Sequence, residues 1–594
     1  MSNVEIVCKS EYVTMRDNVR LAVSAWLPND YINMHEKYPA IITSTRYWRA
    51  MEFHHDNIVF QKYHRFARYL LSQGYVLIAV DVRGSGASFG CRDTELSSAE
   101  VEDIGEVIDW AARQNWCNGL VGTEGTSYSA NTALYSLVTA PSALKAAVCR
   151  APDFDPYRHL LAPGGIVNRW FIEVWGDSTC AQDRNDVKAL FAGGHLPSPE
   201  GGIENVLGVR PVDNDGDQFQ LNAAIKAHQA NFNVKGKDYK LLFVDRKMFG
   251  SHRFFFDPVY QELIENSNVP AVVRCGWHDA GTALGALCMF ASFSSPLRVI
   301  LGPWNHGGNL RVDPFLPGEN TDSEVIALEA VYSQTVKSLD KIFKPNTNKK
   351  DDTSRSIRLV EYYTLGQNRW KATRQWPLPQ TTIKRFYLAE NYQLKTFAPT
   401  RQKGHDIHRV DPTTGTGLNN RWYTQMAGKA VLFPDRYEAD KKLLVYDTPP
   451  LEREIEITGH PVVYLYIRSS ATDGQFFVYL ETVDPDGRVR MLTEGQLRGL
   501  HRKTSEDMPP YTMFGPYHSL KEKDALPLVP GEIAEIAFDL FPISVLLKKD
   551  QRIRLAIAGA DVDVFAPITD CESPEITIER NSVFASCIDL PVIA

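Results

Sequence analysis

Four runs of almost uninterrupted apolar residues recur along the first half of the chain. They are YVLIAVDV at 75–82, AVCR at 147–150, VPAVVRCGW at 269–277 and PLRVILGPW at 296–304. A strand with one wet face alternates apolar and polar side chains, so runs that do not alternate need cover on both faces. Helical patterns at 63–72, at 101–112 and beyond 128 separate the first runs, with a shorter apolar strand at about 39–43 ahead of them. This spacing predicts a largely parallel sheet with crossover helices. Such a sheet binds its ligands beyond the carboxyl ends of its strands, so the residues just after each run are where chemistry is sought.

One of those handovers reads V-G-T-E-G-T-S-Y-S-A at 121–130. A serine on a sharp strand-to-helix turn needs small residues two positions either side, and Gly125 and Ser129 flank Ser127. Ser127 is therefore the candidate nucleophile. The run ending in Trp277 delivers His278-Asp279-Ala280-Gly281, and the run ending in Trp304 delivers Asn305-His306-Gly307. Nucleophilic acyl transfer needs a histidine to take and return the serine proton, and a carboxylate to hold that histidine's tautomer. Ser127, Asp279 and His306 supply these types at three strand ends, in the chain order of an α/β-hydrolase. His278 competes for the base, but it adjoins Asp279 and diverges from it in direction.

At 594 residues the chain exceeds one core. Between 151 and 262 the runs GGIVNRWFIEVWG and FQLNAAIKAHQANF are helix-like, and no sheet-like series appears. This segment reads as a mainly helical cap, with Arg169, Trp170, Glu173, Trp175 and Asp177 as pocket candidates. A loop carrying Arg46, Tyr47 and Trp48 follows the strand at 39–43; Trp48 is a further pocket candidate, and Tyr47 serves either packing or the site. Residues 263–345 return to the sheet domain begun at 1–150, with a helix over 321–343. The polar stretch 345–356 reads as a linker. Short strands and turns such as Asp484-Pro485-Asp486-Gly487 fill 346–594 and predict a jelly-roll β-sandwich.

Gly84-x-Gly86 after a strand suggests a dinucleotide fingerprint, but the third glycine, Gly90, comes one place late and no helix opens behind it. A net charge of −8 and the lack of a long basic cluster argue against a nucleic-acid surface. The nine cysteines are scattered and lack a CxxC pair, which argues against a zinc site and for free thiols in a reducing compartment. No signal segment and no apolar run long enough to span a membrane is visible, so the expectation is a cytoplasmic protein without membrane contact. Homo-oligomerisation stays open, since no interface is legible.

These motifs together resemble the CocE/NonD-type serine hydrolases, which include cocaine esterase, cephalosporin and glutaryl acylases, α-amino acid ester hydrolases and Xaa-Pro dipeptidyl peptidases. The resemblance covers nearly the whole chain. It runs through D-V-R-G-S-G-A-S-F-G at 81–90, G-T-S-Y at 125–128, G-W-H-D at 276–279, G-P-W-N-H at 302–306, D-T-P-P-L at 447–451 and V-D-P-D-G-R-V-R at 483–490. It implies an α/β-hydrolase fold with a helical cap and a C-terminal jelly roll. It further implies Ser127 as nucleophile, Asp279 as acid and His306 as base, with no metal or organic cofactor. The oxyanion hole it implies combines the Tyr128 backbone N–H with the Tyr47 hydroxyl. Two departures stand out: Ala130 occupies a usual glycine position, and Arg46 stands where proline commonly precedes the tyrosine. The stretch after Asp279, Ala280-Gly281-Thr282-Ala283-Leu284, carries no acid to read a substrate ammonium, a role left to Glu173 or Asp177. The expected substrate is a small-molecule ester, with an amide, cleaved by an acylase or Xaa-Pro-type dipeptidyl peptidase, as the alternative.

Overall fold

The computed structural model describes residues 5–31, 36–55, 57–196, 198–199, 201–235, 243–245, 258–316, 325–344, 358–418, 420–426, 428–568 and 573–593. The polar stretch 345–356, residues 321–324 and Cys571 lie outside them. The sheet domain is built from β1 (Ile6–Thr14), β2 (Arg20–Pro28), β3 (Tyr38–Thr45), β4 (Val76–Asp81), β5 (Cys117–Thr126), β6 (Leu144–Arg150), β7 (Ala271–Gly276), β8 (Leu297–Gly302), β9 (Leu359–Thr364) and β10 (Arg369–Thr373). Their spatial order is β1-β2-β4-β3-β5-β6-β7-β8-β9-β10. The strands from β4 to β9 run parallel, and the two ends are closed by antiparallel pairs.

The apolar runs lack alternation because both faces are covered. Along β4, Val76, Ile78 and Val80 face one core, while Leu77 and Ala79 face the other. The first core is filled from α2 (Ser98–Ala112), α3 (Tyr128–Thr139) and α8 (Thr282–Ser292), the second from α1 (His64–Ser72) and α9 (Leu328–Phe343). Uniform burial is thus satisfied by two different sets of helices.

The chain between β6 and β7 leaves the sheet as a mostly helical insertion. It contains α4 (Arg169–Asp183), α5 (Val187–Ala192) and α6 (Phe219–His228), and a short strand, Val206–Val209, that pairs antiparallel with Met51–Phe53. Its last helix, α7 (Pro258–Ser267), packs on α3 and returns the chain to β7. The sequence assigns 346–594 to one β domain; here the structure differs. Leu359–Thr364 gives β8 its parallel edge partner, and β10 turns back along it, so the first sheet extends to Thr373. The remaining strands, from Thr381–Ala389 to Cys587–Ile593, join in one hydrogen-bonded network of 13 strands. The Asp484–Gly487 turn closes a hairpin between Gln475–Val483 and Val489–Arg498, with Gly487 at φ 92°. The eight described cysteines are free.

The D-V-R-G-S-G motif staples the loop after β4. Asp81 accepts the Arg49 and Ala87 backbone N–H groups at 2.6 and 2.9 Å, and Arg83 bridges Asp17 and Asp103. Gly86 sits at φ 54°, where a Cβ would lie 2.2 Å from the Asp81 carboxyl carbon. The expected result for Gly86→Ala is a loss of at least about 2 kcal/mol, from left-handed strain plus overlap. Urea unfolding of the first transition measures it, and a loss under about 0.5 kcal/mol would show that the loop tolerates a side chain.

Candidate active site

Ser127 closes β5 and opens α3 at φ 61°, ψ −126°. A non-glycine residue there is strained, and strain of this kind persists only where packing over-determines it. The packing is visible at Gly125, where a Cβ would sit 2.2 Å from the Ser129 carbonyl oxygen. The Ser127 N–H donates to Arg150 O at 2.9 Å, tying the turn to the end of β6. Asp279 follows β7 and His306 follows β8; the two strand ends are drawn together where Gly276 leaves no room for a Cβ beside the Trp304 carbonyl, 2.0 Å away. His306 Nδ1 lies 2.9 and 3.0 Å from the two oxygens of the fully buried Asp279 carboxylate. The acceptor-only carboxylate fixes the proton on Nδ1. His306 Nε2, the nitrogen a general base must offer, is buried and has no hydrogen-bond partner among the described residues. His278 turns away, its Nε2 2.7 Å from Leu492 O, and burial pushes its pKa down to about 3.

Ser127, Tyr47 and Tyr128 line one cavity with Trp175, Asp153 and Gln425. The Tyr47 hydroxyl accepts the Trp175 indole N–H at 2.9 Å, which leaves the phenol proton free to donate elsewhere. Burial raises the Tyr47 pKa to about 12, so the proton is retained. The Tyr128 backbone N–H is the first of α3 and has no acceptor within the helix. The Tyr128 phenol is occupied, donating to the Glu100 carboxyl at 2.9 Å. Arg46 is anchored by a buried ion cluster: it meets Glu95 at 3.3 Å and Asp183 at 3.1 Å, and Arg92 meets the same two carboxylates. That cluster ties the Tyr47 loop to the end of α4, the helix that carries Trp175.

Of the six pocket candidates only Trp175 lines this cavity. Trp48 is fully buried among Ala22, Ala87, Leu190 and Val209, with its indole donating to Gln182 O at 3.2 Å. Arg169 donates to Val562 O, and Trp170 stacks on Tyr423 at 3.9 Å, so both face the C-terminal domain. Asp177 is exposed and paired with Lys235 at 2.7 Å, and Glu173 lies outside the lining. Phe171, Asp153 and Gln425 were not anticipated. Phe171 and Trp175 stand four residues apart on α4 and stack with their rings 13° from parallel, a helical-face signal that the sequence does contain. Among the described residues no cluster of three metal-ligating side chains occurs, and no helix is long and apolar enough to cross a membrane.

Residues 17–308 match the family model of X-Pro dipeptidyl-peptidase (S15 family), and residues 354–583 match that of the X-Pro dipeptidyl-peptidase C-terminal non-catalytic domain. A Mycobacterium bovis protein provisionally named a serine esterase is 38% identical, covering 98% of this chain and 95% of its own length. Cocaine esterase of Rhodococcus sp. is 25% identical over 93% of this chain and 91% of its own. Two solved structures share the fold: an aminopeptidase from a marine sediment thaumarchaeon (TM-score 0.71, 19% identity, 99% of this chain and 97% of that one) and a CocE/NonD family hydrolase from Staphylococcus aureus (TM-score 0.67, 18% identity, 99% and 94%).

Electrostatically the site is influenced by a second buried acid, Asp153. Burial lowers the His306 pKa, but the charge and hydrogen bond of Asp279 more than offset it, and Asp153 adds to the upward shift. Burial raises Asp153 itself to about 6, against the opposing pull of His306. One Asp153 oxygen is buried without a hydrogen-bond partner among the described residues. A negative neighbour favours the imidazolium, so removing it lowers the pKa of His306. Asp153→Asn is therefore expected to move the acid limb of kcat/KM to lower pH. A limb that stays in place would show that Asp153 does not bear on His306.

Proposed function

The chain belongs to the CocE/NonD-type serine hydrolases, and from that premise we propose that it hydrolyses carboxylic esters through a covalent acyl-enzyme. In this reading Ser127 attacks the ester carbonyl and His306 Nε2 takes its proton, with Asp279 supporting the imidazolium. The developing oxyanion is held by the Tyr47 hydroxyl and the Tyr128 backbone N–H. His306 returns the proton to the departing alcohol, then activates the water that releases the acid. The insertion acts as a cap, and the C-terminal domain, in this reading a jelly roll, closes the cavity from the other side. No step calls on a metal or an organic cofactor.

The observation that carries the proposal is the shared cavity: the strained serine and a phenol whose free proton is directed by Trp175 open into the same space. The rest of that lining is mainly apolar, with Leu160, Leu161, Phe171, Phe232 and Val234, which suits an apolar acyl or alkoxy group. The relatives named as esterases support the ester over the amide.

One observation favours a second reading, in which an acylase or peptidase cleaves an amide whose ammonium is held by Asp153. Glu173 and Asp177 cannot serve there, since neither lines the cavity. We expect apolar acyl esters to be turned over and dipeptidyl anilides to be poor substrates, with or without a free amine. Tyr47→Phe should cut kcat roughly 10²–10³-fold. Activity within threefold of the parent would remove Tyr47 from the oxyanion hole. Efficient cleavage of the free-amine anilide alone, lost in Asp153→Asn, would replace the esterase reading with the second one.

A further inference from the structure

The C-terminal domain reaches the acid and the base directly, through residues 420–426. The Asn420 side chain accepts the N–H groups of Trp422 and Tyr423 at 2.9 and 3.1 Å, folding the segment into a tight turn over Tyr423–Gln425. Trp422 anchors that turn in its own domain: it is fully buried, and its indole donates to Glu494 at 2.7 Å. From this base, adjacent side chains cross to the strand ends of the sheet domain. The Thr424 hydroxyl accepts the His306 backbone N–H at 3.0 Å. The Gln425 amide donates to Asp279 Oδ1 at 2.5 Å. Arg421 and Ala280 exchange two further bonds, one from the guanidinium to Ala280 O at 3.1 Å and one from Ala280 N–H to Arg421 O at 3.0 Å.

His306 Nδ1 is almost equidistant from the two Asp279 oxygens, so that contact alone does not single out either oxygen as the acceptor. Thr282 reaches Oδ2 only at 3.2 Å and makes its shorter bond, 2.8 Å, to the Asp279 carbonyl. The short bond from Gln425 is the contact that fixes which lone pair faces the imidazole. Gln425 is buried, with 6% of its surface exposed, and an acceptor-only partner requires its nitrogen to face Asp279.

We propose that Gln425 is a positioning residue of the catalytic triad, contributed across the domain interface by a region whose family model is described as non-catalytic. The inference rests on the serine-hydrolase reading of Ser127, Asp279 and His306. Besides Gln425, the charged or titratable groups that bear on this pair are Asp153 after β6, Arg421 on the same turn and Cys275 on β7. All three stay in place in the variants that follow.

Gln425→Met keeps the side-chain volume and removes the donor. Gln425→Glu keeps the shape and sets a second carboxyl against Asp279, so the two must share a proton. Rates are normalised to active sites titrated with a fluorophosphonate, so that unfolded protein does not count. Loss of a hydrogen bond to a charged group corresponds to about a tenfold or greater fall in kcat with KM little changed. Gln425→Met should also move the acid limb of kcat/KM to higher pH, because an unshared negative charge favours the imidazolium, whereas Gln425→Glu, whose shared proton restores a donor to Asp279, should move it less. A merely structural role would lower the active-site titre and leave that limb in place. A Gln425→Met variant that keeps kcat within about twofold and an unmoved limb would overturn the inference alone. Labelling of the parent that survives Ser127→Ala would overturn the serine reading and this inference with it.

Discussion

Everything in this molecule is arranged around keeping Ser127 in a backbone conformation that a serine avoids. Strain at a positive φ costs on the order of 1–3 kcal/mol. It persists here because β5 and α3 meet so closely that residue 125 has no room for a side chain. The doubly covered sheet provides the rigid frame in which such an approach can be enforced. A sheet wet on one face would let the turn relax outward. The same frame delivers the acid and base from two neighbouring parallel strands, whose ends are brought together at Gly276 and Trp304.

Three separate parts of the chain then converge on that frame. The loop after β3 brings Tyr47, the insertion brings Trp175 to orient it, and the C-terminal domain brings Gln425 and Thr424 to the acid and base. An apolar cluster joins them, with Trp170, Phe171 and Trp175 against Trp422, Phe477 and Phe541, and the buried polar contacts beside it add selectivity. The cluster of Arg46, Arg92, Glu95 and Asp183 illustrates this. Two cations and two carboxylates out of water are tolerable only as a complete set, so the loop and the helix are specified together.

Much of the frame was legible in the sequence. The non-alternating runs announced a sheet with two covered faces, and small residues around Ser127 announced the elbow. The order Ser127, Asp279, His306 at strand ends pointed to a pair that the structure does bring into hydrogen-bonding distance. What stayed hidden was long-range. Nothing local to Gln425 or Asp153 signals that a turn 146 residues beyond Asp279, or the segment following β6, faces the same imidazole. The insertion shows a subtler failure. Its candidates Trp170, Glu173 and Asp177 follow the i, i+3, i+7 stripe of one helical face, whereas the cavity takes the i, i+4 pair Phe171 and Trp175. Helical period defines faces but not which one a neighbouring domain will claim. The first sheet likewise gained two strands past the expected boundary, because the exposed edge of β8 needed a partner and no composition change marks that need.

The central claim is that this serine, on this turn, becomes covalently acylated. Peptide-level mass spectrometry after stoichiometric fluorophosphonate treatment tests it most directly. The account predicts one adduct, on the peptide containing Ser127, absent from Ser127→Ala and formed only above the pH at which His306 loses its proton. An adduct on another serine, or one that persists unchanged in Ser127→Ala, would contradict it.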